Sequence, residues 1–183
     1  QELADMIKDS SKITFFCGAG CADSAPEVIA LAKYLKAPIA YTFRGKEWME
    51  YDNPNGVGMT GLLGWGDAYR AMHDSDLLIM WGTDFPYRDF IPAKCKIAQV
   101  DIRPENIVRR ADIDLWLTGD VKGTIIALYS LIEEKTDDSH LKKSLERHEK
   151  AVSRMSAYVD DCKGQSPIRP ELLTHHLSEM AND

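Results

Sequence analysis

The residues of this chain best suited to gripping a phosphorylated ligand are its glycine pairs, its arginines and one strand-end carboxylate. Gly18-Ala19-Gly20 follows the apolar run Ile13 to Cys17. Small residues there let backbone N–H groups and a helix N-terminus approach a phosphate. A dinucleotide fingerprint would carry a third glycine at position 23, which is Asp23, so a structural strand-to-helix turn is the competing reading. Arg44-Gly45-Lys46 offers two cations for a pyrophosphate, or else a solvated loop paired with Glu47 and Glu50. The run Gly58-Met59-Thr60-Gly61-Leu62-Leu63-Gly64 combines permissive backbone, one hydroxyl and apolar side chains, a composition that can lie along a flat, partly apolar ligand or merely connect two elements. Gly82-Thr83-Asp84-Phe85-Pro86-Tyr87-Arg88 crowds hydroxyl, aromatic and guanidinium groups behind the apolar run Leu77 to Trp81. Asp101 closes a further run, where an acid accepts hydrogen bonds from ribose hydroxyls or caps a turn with the help of Pro104.

All five places lie just after short apolar runs, and the elements between them explain why that matters. Ile13–Cys17, Ile39–Phe43, Leu77–Trp81, Ile97–Ile102 and Leu115–Leu117 read as strands bounded by turn signals. Between the first two, Ala25 to Leu35 repeats at helical spacing, and helices are also predicted around Trp65–His73 and Val121–Ile132. Strands alternating with helices imply a parallel sheet covered on both faces, whose ligands sit beyond the carboxyl ends of the strands. Arg44 to Gly66, rich in glycine and containing Asp52-Asn53-Pro54-Asn55-Gly56, is predicted to be a long loop. Beyond Glu133 strand signals stop; a charged helix from Ser139 to Asp161, a breaker at Gly164–Pro170 and a last helix Pro170–Met180 are expected.

The 183 residues, 44% hydrophobic and 28% charged, are enough for one globular core. A formal net charge of -7 argues against broad binding to nucleic acid or acidic lipid. Cys17, Cys21, Cys95 and Cys162 lack the paired spacing of zinc or redox motifs, which predicts free thiols, a reducing compartment and no metal site. No leader or membrane-length apolar stretch is evident, so a cytoplasmic location is expected, and the ends read as cut sites within a longer protein. His73, His140, His148, His175 and His176 all fall in predicted helices with no nucleophile on a recognisable elbow. They are expected at the surface or at helix ends, and no catalytic residue is assigned.

With these motifs in order, the chain resembles the middle domain of the thiamine-diphosphate enzyme superfamily, within it the pyruvate oxidases and quinone-dependent pyruvate dehydrogenases. The likeness runs through Arg44-Gly45-Lys46-Glu47, Glu50 to Pro54, Val57 to Leu62, Gly82-Thr83 with Phe85 to Arg88, Val100-Asp101-Ile102 and Leu117-Thr118-Gly119-Asp120. It implies a Rossmann-like α/β fold with a six-stranded parallel sheet and helices on both faces. Residues 1–133 would form an FAD-binding domain, and residues 134–183 a helical extension toward a C-terminal thiamine-diphosphate domain. The implied flavin contacts are Thr60, Gly61, Leu62, Leu63, Thr83, Asp84, Phe85, Pro86 and Tyr87, with Asp101 near the adenosine half and Gly18, Gly20 and Arg88 at the phosphates. The family decarboxylates pyruvate on thiamine diphosphate and magnesium held in flanking domains, and passes electrons through FAD to quinone or oxygen. By itself the segment is therefore expected to be inert, its partners being those domains of the same chain and the homo-oligomer of the whole enzyme, for which the resemblance allows a peripheral place at the membrane. Other readings are an acetolactate synthase middle domain with structural FAD or none, and a scaffold that binds no nucleotide. Gly18-Ala19-Gly20 is also similar to sirtuin-type NAD-binding deacylases, although the four-cysteine zinc site of that class is absent.

Overall fold

The computed structural model describes residues 1–181. The chain forms two compact units, Gln1–His148 and Glu149–Asp183. The first opens with helix α1 (Glu2–Asp9), whose Leu3, Ala4 and Ile7 are buried, and runs into strand β1 (Ile13–Cys17). A 3₁₀ turn, Ala19–Ser24, leads to α2 (Ala25–Tyr34), which carries a proline in its first turn, where no N–H is missed. Then come β2 (Ile39–Tyr41), a 3₁₀ turn at Phe43–Gly45, α3 (Lys46–Met49), β3 (Gly56–Met59) and β4 (Trp65–Gly66). The unit continues through α4 (Ala68–His73), β5 (Leu77–Trp81), β6 (Lys96–Asp101), β7 (Leu115–Thr118) and α5 (Val121–Leu128). Helix α6 (Ser139–Asp160) contributes its first turns here and the remainder to the second unit, which also holds α7 (Pro170–Met180).

The strands make one sheet in the order β4-β3-β2-β1-β5-β6-β7. Six of them are parallel, as expected; a seventh, β4, pairs antiparallel with β3 through Gly58↔Gly66 and Met59↔Trp65. The sheet is therefore seven-stranded rather than six-stranded. β3, β4 and α3 all fall inside the stretch predicted as a loop, because Gly56-Val57-Gly58-Met59 has too few β-branched or aromatic residues to read as a strand. The helix expected from Trp65 begins only at Ala68, the first two residues being taken up by β4.

Side chains of β1 and β5 alternate between two cores. Ile13, Phe15, Cys17, Leu77, Ile79 and Trp81 pack with α1, α2 and α5, while Phe16, Leu78 and Met80 pack with α4 and the loop beyond β5. Every residue of these two central strands is buried, which accounts for the unbroken apolar runs in the sequence. Phe15 meets Trp81 edge-on at 5.6 Å on one face, and Phe16 meets Phe85 at 5.0 Å on the other. Each such burial stabilises by about 1.5–3 kcal/mol.

The start of α6 closes the second face with polar groups. Thr14 Oγ1 donates to the Ala71 carbonyl (3.0 Å) and lies 2.9 Å from His140 Nε2. The hydroxyl has one proton, so Nε2 carries the hydrogen of the neutral imidazole. His140 is thus at a helix end, one of the two placements expected, but buried there, and burial pulls its pKa down to about 4. Nearby, Arg147 bridges Asp67 (2.8 Å), whose side chain is 2% exposed, and Asp74 (2.9 Å). Burial pushes the Asp67 carboxyl up despite that guanidinium. In the second unit Glu171 accepts from Arg169 (3.1 Å) and from the Tyr158 hydroxyl (3.1 Å). The four cysteines are free, and among the described residues no helix is long and apolar enough to cross a membrane.

Candidate functional site

Chain order reverses direction at β1: β2 and β3 lie to one side and β5, β6 and β7 to the other. A crevice must open beyond the carboxyl ends at such a switch point, because the loops leaving β1 and β5 go to opposite sides. Here a cleft of about 780 Å³ occupies that edge, fed by the segments that follow β1, β2, β3, β5, β6 and β7. Its volume is in the range of a site for a sizeable organic ligand.

The β1 and β5 loops form its floor. Gly18 N–H donates to the Trp81 carbonyl (2.9 Å) and Gly20 N–H to the Gly82 carbonyl (3.0 Å). A Cβ on Gly20 would stand 2.7 Å from Gly82 Cα, and one on Gly18 only 2.5 Å from the Gly82 carbonyl oxygen. These glycines let two loops touch, and their N–H groups are committed to that contact. Gly20 lines the cleft; Gly18 does not. Burial pushes the thiol of Cys17 well up, with Cys21 adding to the effect, so the thiol is an inert core group.

The flanking walls separate the other expected residues. From β3 come Thr60, Gly61, Leu62 and Leu63. Gly61 adopts φ +115, a conformation that favours glycine, and a Cβ there would stand 3.3 Å from the Phe85 ring. Thr60 is 3% exposed, and its Oγ1 has no hydrogen-bond partner among the described residues. Leu62 and Leu63 are 71% and 70% exposed, apolar surface at the rim. From β5 come Thr83, Asp84, Phe85, Pro86 and Tyr87, whereas Arg88 does not line the cleft and begins a 3₁₀ turn, Arg88–Phe90. Asp84 is ion-paired with Arg110 (2.9 Å) and Arg109 (3.1 Å). From β6 comes Asp101, buried, accepting from the Arg103 N–H (2.9 Å) and Asn106 Nδ2 (3.3 Å). It caps its own turn, as one of the two readings holds, and it also lines the cleft.

Several cleft residues lie outside the set expected from sequence. Phe43, Ile102, Arg103 and Asn106 line it, together with Arg44 from the weighed cationic pair. Lys46, the other member, pairs instead with Glu50 (2.5 Å). Phe43 and Ile102 each follow a strand end, and that position is the available signal. The donor set fits an extended dinucleotide: cations at Arg44 and Arg103, a bare hydroxyl at Thr60, a carboxylate at Asp101 and apolar faces at Leu62, Leu63 and Tyr87.

Curated relatives share this chain. An uncharacterized 42.6 kDa protein from the isoamylase 3' region of Pseudomonas amyloderamosa is 52% identical over 166 residues, which is 91% of this chain and 42% of that protein. The putative thiamine pyrophosphate-containing protein YdaP of Bacillus subtilis is 30% identical over 98% of this chain and 31% of its own length. A probable acetolactate synthase large subunit of Methanocaldococcus jannaschii is 26% identical over 100% of this chain and 32% of its own length. The chain thus spans between 31% and 42% of the length of these relatives. Residues 1–128 match the central domain of thiamine pyrophosphate enzymes, and the chain belongs to that family.

Proposed function

We propose that the cleft binds FAD in an extended form, and that the parent enzyme oxidatively decarboxylates pyruvate and passes electrons through FAD to quinone or oxygen. The observation that carries the reading is convergence at a switch point: residues from the β1, β3, β5 and β6 ends, distant in sequence, line one cleft. In this reading Thr60, with its bare buried hydroxyl, hydrogen bonds the flavin half, Arg44 and Arg103 face the pyrophosphate, and Asp101 holds a ribose hydroxyl. Gly20 permits the close floor, while Leu62, Leu63, Phe85, Pro86 and Tyr87 supply apolar contact. When bound, FAD supplies electron acceptance; the chain's own part is to bind and orient it and to exclude water. Thiamine diphosphate and magnesium belong, in this proposal, to other parts of a cytoplasmic homo-oligomer, and residues 134–183 lead toward them.

Relatives named acetolactate synthase favour a second reading, in which the same cleft holds FAD that takes no electrons from substrate. The test is a flavin titration of the full-length protein by absorbance and fluorescence quenching, followed by pyruvate without oxygen. Bound flavin bleached by pyruvate is the expected result. Bound flavin that pyruvate leaves oxidised overturns the oxidase reading in favour of the synthase, and failure to bind FAD overturns both.

A further inference from the structure

Gln99 stands on β6, on the sheet face that also carries Ile97, and is 3% exposed. It does not line the cleft. A buried carboxamide must place two N–H donors and a carbonyl, and leaving them unmet is costly. Here all its bonds run to two loops: Nε2 donates to the Thr83 carbonyl (3.1 Å) and the Asn106 carbonyl (3.3 Å), and Oε1 accepts from the Val108 N–H (3.3 Å). Two carbonyls on one side and an N–H on the other allow only one orientation of the amide.

Thr83 and Asn106 both face the cleft, from the β5 and β6 loops respectively. Val108 has φ 61, a conformation that a β-branched residue holds only when its surroundings impose it. The same stretch is tied twice more, by Asp101 to Arg103 and Asn106 and by Asp84 to Arg109 and Arg110. Gln99 alone among these bonds both loops and the strained residue from inside the core.

We propose that Gln99 is a positioning residue: anchored to Thr83 and bonded to Asn106, it fixes the β6 loop and through it the place of Asp101 at the adenosine half of the ligand, without touching the ligand itself. This rests on the flavin reading above. The shape-matched Gln99→Glu puts an acceptor where both carbonyls need a donor, and Gln99→Met keeps the length with no polar group.

The test titrates ADP and FMN separately against the full-length protein and its two variants, and follows hydrogen exchange across residues 102–110. Gln99→Glu should lower ADP affinity by about tenfold or more, change FMN affinity by less than about twofold, and speed exchange at the Val108 amide. Gln99→Met should move in the same direction by less. Unchanged ADP affinity, or an equal fall for ADP and FMN, overturns the proposal. A wild type that binds neither nucleotide removes the flavin reading instead. In that case exchange at Val108 decides: faster exchange in both variants supports a positioning role, and unchanged exchange refutes it.

Discussion

Replacing Gly18 by alanine tests whether the floor of the cleft depends on two loops in direct contact. The backbone there has φ -108 and ψ -169, which alanine adopts freely, so any penalty comes from the neighbours. The new methyl would lie 2.5 Å from the Gly82 carbonyl oxygen, 2.6 Å from Thr83 Cβ and 2.8 Å from Thr83 Cα. Two of these are backbone atoms with no free rotation, and ordinary contact requires the loops to part by about 1 Å. Such overpacking costs about 1–3 kcal/mol. Parting also stretches the Gly18-to-Trp81 and Gly20-to-Gly82 bonds of 2.9 and 3.0 Å, each contributing about 0.5–1.5 kcal/mol. The total, about 2–6 kcal/mol, is a large share of a domain stability of about 5–15 kcal/mol. Melting should fall by on the order of 10 °C, followed by circular dichroism. Gly119→Ala is the control, since its methyl would meet only Thr124 Oγ1 at 3.7 Å. A Gly18→Ala protein that melts with the control refutes the claim that glycine at position 18 is required by the loop contact.

Two further predictions concern the polar packing under α6. Burial lowers the His140 pKa from 6.5 to about 4, so the folded protein binds its proton later than the unfolded chain does. That contribution is fully present above about pH 6.5 and is lost as pH falls toward 4, reaching at most about 3 kcal/mol. His140→Gln keeps a donor for Thr14, so urea unfolding of the variant should depend less steeply on pH across that window; an identical pH dependence would contradict the buried neutral imidazole. Arg147→Met strands the Asp67 carboxylate, 2% exposed, and should destabilise by about 3–5 kcal/mol. Adding Asp67→Asn should recover more than half of it, whereas strictly additive losses would show that the two side chains do not act as a pair.

Legibility follows side-chain chemistry. β1, β5 and α7 are legible to the residue because their boundaries coincide with an abrupt end of apolar character or with a proline. β3 is not, because its strand is held by backbone pairing with β2, Ile39↔Gly56 and Tyr41↔Met59, while glycine supplies no side-chain signal. Asp101 and Thr83 are legible as cleft residues since a strand end predicts location without needing the partner. Gln99 is hidden, because a glutamine inside an apolar strand says nothing about which distant carbonyls it meets; Thr83 and Asn106 come to it only through the pairing of β5 with β6. His140 is hidden for the same reason, its partner Thr14 lying 126 positions away.

On the flavin reading proposed above, the commitment of the glycine amides changes what kind of nucleotide site the cleft would be. A glycine-rich loop that leaves its N–H groups free grips phosphate by itself, and the rest of the site refines the fit. Here Gly18 and Gly20 donate to carbonyls of the neighbouring loop, so on that reading the grip would fall to side chains on the walls, Arg44 and Arg103 for charge and Thr60 for a hydrogen bond. Long side chains such as the two arginines must be ordered on binding, and the rotamer entropy they lose offsets part of each bond they make. The rim residues Phe43, Leu62, Leu63 and Ile102, each at least 66% exposed, offer apolar area that a flat ligand cannot cover from one side. On that reading the cleft would hold its ligand tightly only when a second surface covers the rim, so FAD affinity should be higher in the full-length protein than in residues 1–183 alone.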